Sequence, residues 1–219
     1  MASINPFSLR KQLAFYGAYH TDTVNVLIHV VGVPSIIFGV CVLLASRGSL
    51  FLSVQRTSPL LASYLSLFGS QLASILPKWA FEHARLDAST VFMSSYLAYY
   101  TVLDPVAATL YTPVWYSIWY GAETLLQTRP DVAVKVASMI FVGGWIAQFY
   151  GHGVHEKRAP ALLDNLLGAV VLAPFFVWLE VIFHLGYRPQ LQKDLKNDVG
   201  KLVTQFRKEQ ADKERRKIK

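Results

Sequence analysis

VNVLIHVVGVPSIIFGVCVLLA, residues 24–45, is an apolar run with no formal charge when His29 is neutral. At about 1.5 Å per residue, a helix of this length crosses the roughly 30 Å hydrocarbon layer of a bilayer. Asp22 or Thr23 can cap its start. Pro34, inside the run, removes a backbone donor and predicts a kink. His29 sits about one and a half turns in. An ionisable group at that depth is costly and by default marks function. The competing reading is a buried histidine bonded to a neighbouring helix.

The composition of the 219 residues points the same way: 53% are aliphatic, aromatic or Cys, and only 16% are charged. Soluble domains carry about 25% charge, and the mean hydropathy here is +0.33. The net charge of +7 is concentrated in the tail, since about half of the Lys and Arg follow Gly186. A basic flank beside an apolar body fits attraction to anionic membrane lipid. No nucleic-acid-binding motif accompanies it, so no nucleic-acid partner is expected. The single cysteine, Cys41, lies in an apolar run and cannot form an intrachain disulfide. The first 23 residues hold Arg10 and Lys11 and no compact apolar core, so no cleavable signal peptide is read there.

Further runs follow. Residues 5–20 predict a short amphipathic helix at the membrane surface, 46–59 a loop, and 60–77 a second apolar stretch. Residues 89–103 and 105–121 are apolar and Tyr-rich, split by Asp104-Pro105; ETLLQTRPD reads as a loop. Residues 132–150 predict a span ending in Phe149 and Tyr150, and 166–185 a last one interrupted by Pro174. The expected class is all-α: a polytopic membrane helical bundle with five or six spans. Residues 1–189 form the membrane-embedded domain, and 190–219 a charged, exposed helix or a partly disordered tail. Cytosolic ends require an even number of crossings, whereas a joint site requires the end of 132–150 to meet the start of 24–45. Broken or re-entrant segments reconcile these demands, with Asp104-Pro105 and Pro174 as the candidates.

The chemistry concentrates in two places. YGAYHTDTVNVLIH carries His20 and His29, nine residues apart and about half a turn out of phase on one helix. They converge only if the chain bends, and Thr21-Asp22-Thr23 is the place for it. Asn25 shares a face with His29, and Tyr16 is spaced to support His20. GHGVHEKRAP carries His152, His155 and Glu156, which project to one side of a helix at spacings of three and four. That spacing lets one helix offer several ligands to one ion, and imidazole plus carboxylate is the donor set of non-haem iron oxygenases. The competing reading is an interfacial polar loop. Gly151 and Gly153 allow close backbone approach. Asp164 reads as a helix cap, and Asn165 as a cap or a histidine partner. His83 reads as solvated and His184 as interfacial. Six histidines without an HxxHH box exclude the membrane desaturases, and no G-x-S-x-G, P-loop or G-x-G-x-x-G is present.

FYGAYHTDTVNVLIHVVGVP, WIAQFYGHGVHEKRAPALLDNLL and LAPFFVWLEVIFHLGYRP resemble the fungal 2-hydroxy fatty acid dioxygenases. The likeness covers residues up to about 45 and from about 89 onward. It implies a multi-pass protein of the endoplasmic reticulum membrane. The implied activity is Fe(II)-dependent alpha-oxidation, in which a long-chain 2-hydroxy fatty acid and O2 give a fatty acid one carbon shorter. In the family this step belongs to phytosphingosine breakdown. The resemblance puts the metal ligands at His20, His29, His152 and Glu156. His155 remains a further candidate by spacing, although the family commonly has an apolar residue there. Lys157, Arg158 and Asn25 are candidates for the acid headgroup. A b-type haem protein held by His29 and His152, and a non-enzymatic membrane scaffold or transporter, are the alternatives.

Overall fold

Prolines and aspartate caps divide the apolar chain into helices. The computed structural model describes residues 5–75, 78, 82–160 and 168–217. In order these form α1 (Leu9–Gly17), α2 (Thr23–Ala45), α3 (Leu50–Thr57), α4 (Pro59–Ile75), α5 (Ala88–Leu103), α6 (Pro105–Thr128) and α7 (Pro130–Tyr150). A π-helical turn (Gly151–Glu156), a second one (Gly168–Leu172), α8 (Ala173–His184) and α9 (Pro189–Lys217) follow. The all-α expectation holds: no strand occurs among the described residues, and one isolated bridge pairs Ser49 with Asp87. Asp164 and Asn165 lie outside the described residues.

Three expectations need correction. The loop read at 46–59 contains α3, in which Leu50 and Val54 share a face. The loop read at ETLLQTRPD is helical through Thr128, and α7 restarts at Pro130, a residue suited to a first helical turn. Among the described residues, the count of five or six spans falls to two helices long and apolar enough to cross a membrane, α2 and α7 with its π turn. It rises to three if α8 and α9, bent by 119°, count as one broken span. α4 has 17 residues, about 25 Å of helix, and is Ser-rich. Tyr, Thr and Ser dilute α5 and α6.

The chain divides into two compact units. The first comprises Met1–Val33, Tyr100–Ala107 and Ile146–Lys219. In it α1 packs on α8 and α9. Leu9, Leu13 and Tyr16 are buried, as are Phe175, Phe176, Leu179 and Ile182, and Tyr16 meets Phe176 at 4.9 Å between centroids. Burial of such side chains contributes about 1.5–3 kcal/mol each. Asp104 ties the irregular parts together. It accepts from the Ala107 amide at 3.2 Å to cap α6, from the Tyr187 hydroxyl at 2.9 Å and from Arg188 at 2.7 Å. Pro174 sits in the first turn of α8, where no helical donor is required, and so starts that helix instead of interrupting it. The Tyr100 hydroxyl donates to the Val171 carbonyl in the preceding π turn at 2.7 Å.

The second unit comprises Pro34–Tyr99 and Ala108–Trp145. α2 continues through Pro34 into it. Asp87 caps α5 through the Ser89 and Thr90 amides at 2.8 and 3.1 Å. Ser89 also meets Glu123 at 2.8 Å and accepts from the Trp119 indole at 3.0 Å. His83, read as solvated, is half-buried, with Nδ1 3.3 Å from Gln127 Oε1. Gly39 of α2 lies against α7, where a Cβ would stand 3.0 Å from both the Ala137 carbonyl oxygen and Phe141 Cβ. Gly39→Ala is therefore expected to destabilise the protein by about 1–3 kcal/mol. Thermal unfolding in detergent checks this, and an unchanged melting temperature contradicts the close packing.

Candidate metal centre

α1 stops at Gly17 and α2 begins at Thr23, so the bend required by the phase of His20 and His29 is present. Asp22 makes it. Its Oδ1 accepts from the amides of Val24 at 2.9 Å and Asn25 at 3.1 Å, the geometry of an N-cap. His20 stacks on Tyr16 at 3.8 Å, with an interplanar angle of 16°. Its Nδ1 lies 2.8 Å from the Tyr16 carbonyl oxygen. Tyr16 thus supports His20 with its carbonyl and ring face. His29 repeats the pattern one segment later, with Nδ1 2.9 Å from the Asn25 carbonyl oxygen. A ring whose Nδ1–H donates to a carbonyl keeps its lone pair on Nε2, the tautomer suited to a metal.

His152 arrives from the other side, on the π turn that ends α7. Winding with i→i+5 bonds takes more than four residues per turn. Residue 156 therefore comes back close to the line of residue 152, and residue 155 does not. Accordingly His155 stays out of the cluster: its Nδ1 is 3.7 Å from Asp22 Oδ1, and its ring meets Tyr150 at 5.7 Å. The sequence reading assumed ordinary helical winding, which would have kept all three residues on one side.

His20, His29 and His152 converge. Their ring centroids lie 4.4, 4.9 and 4.9 Å apart, each pair edge to face. One nitrogen of each lies within 4.8 Å of the other two, the one such group among the described residues. His29 and His152 are buried; His20 is half-buried with its Nε2 closed off from solvent. Burial, with His29 beside it, holds His20 well below the ordinary histidine range and keeps it neutral, as a ligand must be. His20 Nε2 and His152 Nδ1 are buried without a hydrogen-bond partner. Buried polar atoms almost always have one, and converging lone pairs repel unless a cation lies between them. The donor set fits a transition-metal ion. It does not fit axial haem ligation, because the third imidazole takes the space of the porphyrin.

Glu156 stands beside the trio and grips the turn that carries His20. One carboxylate oxygen accepts from the Thr21 amide and, at 3.0 Å, from the Asp22 amide; the other accepts from the Thr21 hydroxyl at 3.0 Å. Gly151 fills a need the sequence hinted at, since a Cβ there would run into the Asn25 side-chain oxygen. Gly153 faces open space. Asn25 is fully buried, and neither its Oδ1 nor its Nδ2 has a hydrogen-bond partner. Lys157 is exposed in a left-handed conformation (φ 53°). Arg158 donates to the Ala18 carbonyl at 2.7 Å and lies over the Tyr19 ring. His184 is exposed on the Glu180 carbonyl, away from the cluster. Spacing alone carried no signal for the Arg158 contact or the Asn25–Gly151 approach.

His152 lies in the imidazole cluster and Glu156 beside it, a difference that two variants test. His152→Ala is expected to abolish stoichiometric metal binding. Glu156→Gln keeps the shape but weakens charge-assisted bonds to two amides, and is expected to lower metal affinity about tenfold. Metal content by mass spectrometry and chelator competition measure both. Equal, complete loss in the two variants would make Glu156 a ligand.

The family described as 2-hydroxy-palmitic acid dioxygenase Mpo1-like matches residues 7–185. A relative from Saccharomyces cerevisiae, 2-hydroxy-palmitic acid dioxygenase MPO1, is 34% identical over 192 residues, covering 87% of this chain and 89% of the relative. No solved structure matches. With the histidines of both motifs gathered at one point and the family match running across both, the chain belongs to the Mpo1-like family.

Proposed function

We propose that this chain is an Fe(II)-dependent dioxygenase of the endoplasmic reticulum membrane. It converts a long-chain 2-hydroxy fatty acid and O2 to the fatty acid one carbon shorter, and CO2 and one water balance the atoms. The yeast relative's name, 2-hydroxy-palmitic acid dioxygenase, supports the substrate class. The observation that carries the site is three buried imidazoles gathered at one point beside the ends of two apolar helices. Iron suits this donor set, and when bound it supplies the redox chemistry that lets triplet O2 react with a closed-shell acid.

The protein's own groups then have distinct tasks. His20, His29 and His152 hold the metal. Glu156 positions His20 by fixing Thr21 and Asp22. Asn25, one turn before His29, offers a buried amide with donor and acceptor both unpartnered, which suits the carboxyl or hydroxyl of the substrate. Arg158 adds positive charge nearby without leaving Ala18. The acyl chain lies along lipid-facing apolar residues of α2: Val24, Leu27 and Val31 are exposed. An acid already dissolved in the bilayer thus reaches the site sideways.

Purified protein given Fe(II), O2 and 2-hydroxypalmitate is expected to form pentadecanoate. Chelation should abolish the product and added Fe(II) restore it. Turnover that survives complete metal removal would overturn the proposal. A Soret band would indicate haem, and the absence of both metal and product a scaffold.

A further inference from the structure

α9 spans Pro189–Lys217 and lies beyond residues 7–185, the part that matches the family. It packs along α1 toward the metal site. Arg10 reaches Asp198 at 2.7 Å and Asp194 at 3.4 Å. These bridges are exposed and worth little by themselves, but they set the register. Seven residues further along α1, a Cβ on Gly17 would stand 2.8 Å from Val199, so α9 sits tightly on the end of that helix. Two turns on, Phe206 is half-buried against Arg158.

Arg158 bridges both arms of the site. Its amide donates to the carbonyl of His152 at 3.2 Å, and its guanidinium donates to the carbonyl of Ala18, two residues before His20. The left-handed Lys157 turns the chain to make this possible. The guanidinium carbon lies 3.4 Å from the Tyr19 ring centroid on one side and 3.8 Å from the Phe206 centroid on the other. A planar cation held between two aromatic faces loses water from both, which strengthens its stacking and its remaining hydrogen bond.

We propose that Phe206 is a positioning residue for the metal site: by closing the Tyr19–Arg158–Phe206 stack, α9 fixes the backbone that carries His20. This rests on the metal-centre reading above.

Full-length protein in detergent provides the test, with Fe(II) affinity by chelator competition, KM and kcat for 2-hydroxypalmitate, and the melting temperature of the metal-free form. Phe206→Leu keeps an apolar side chain and removes the aromatic face. It is expected to weaken metal affinity about tenfold, with the metal-free melting temperature unchanged. Phe206→Tyr is expected to restore affinity. Arg158→Lys keeps the charge without the planar stack, is expected to reproduce the loss, and decides the matter if Phe206→Leu fails to fold. Wild-type affinity in the Leu variant overturns the brace, as does a loss shared equally by Leu and Tyr. Wild-type protein that binds no metal overturns the metal reading itself, before any variant is compared.

Discussion

One carboxylate joins the two halves of this site. Glu156 takes the amides of Thr21 and Asp22 and the hydroxyl of Thr21, closing a loop of 135 residues. With Arg158, which reaches the Ala18 carbonyl, it ties the turn bearing His20 to the π turn bearing His152. The clasp also has favourable electrostatics. Thr21 and Asp22 lie at the amino end of α2, where unpaired amides and the helix dipole favour negative charge. Three imidazoles gather there, and two give their Nδ1–H to a carbonyl of their own segment.

Much of this was readable in the residues. The charge-free run at 24–45 fixes α2, and the nine-residue offset between His20 and His29 demands the bend that Asp22 caps. What escaped the sequence is what depends on winding and distance. Spacings of three and four look equivalent while a helix is assumed ordinary; a π turn separates them and removes His155 from the cluster. Arg158, a candidate for the acid headgroup, also meets Tyr19 and Phe206, the latter 48 positions away in sequence. Hydropathy runs overcounted the spans because they do not show where an apolar stretch breaks into helices too short or too polar to cross. α8 is the clear instance: it has 12 residues, too few to cross a bilayer alone, and eight of them are buried within the chain.

The polar groups of the first unit follow a common rule: each buried charge or amide does local backbone work. Asp104 caps α6 while holding Tyr187 and Arg188 at the bend into α9. Asn25 is the exception, a buried amide with both ends unpaired, which makes it the most conspicuous reserve of unspent hydrogen-bonding capacity beside the histidines.

The π turn has a consequence for how this site can evolve. Such a turn amounts to an ordinary helix carrying one extra residue. Deleting a residue from 153–155 would relieve the wide winding and leave α7 a regular helix to its end. Glu156, then three residues after His152 on a regular helix, would keep nearly its present direction, so its bonds to the amides of Thr21 and Asp22 could still form. The backbone would gain regularity while the clasp kept its sign, so this six-residue segment tolerates a change of length by one better than a change of Glu156.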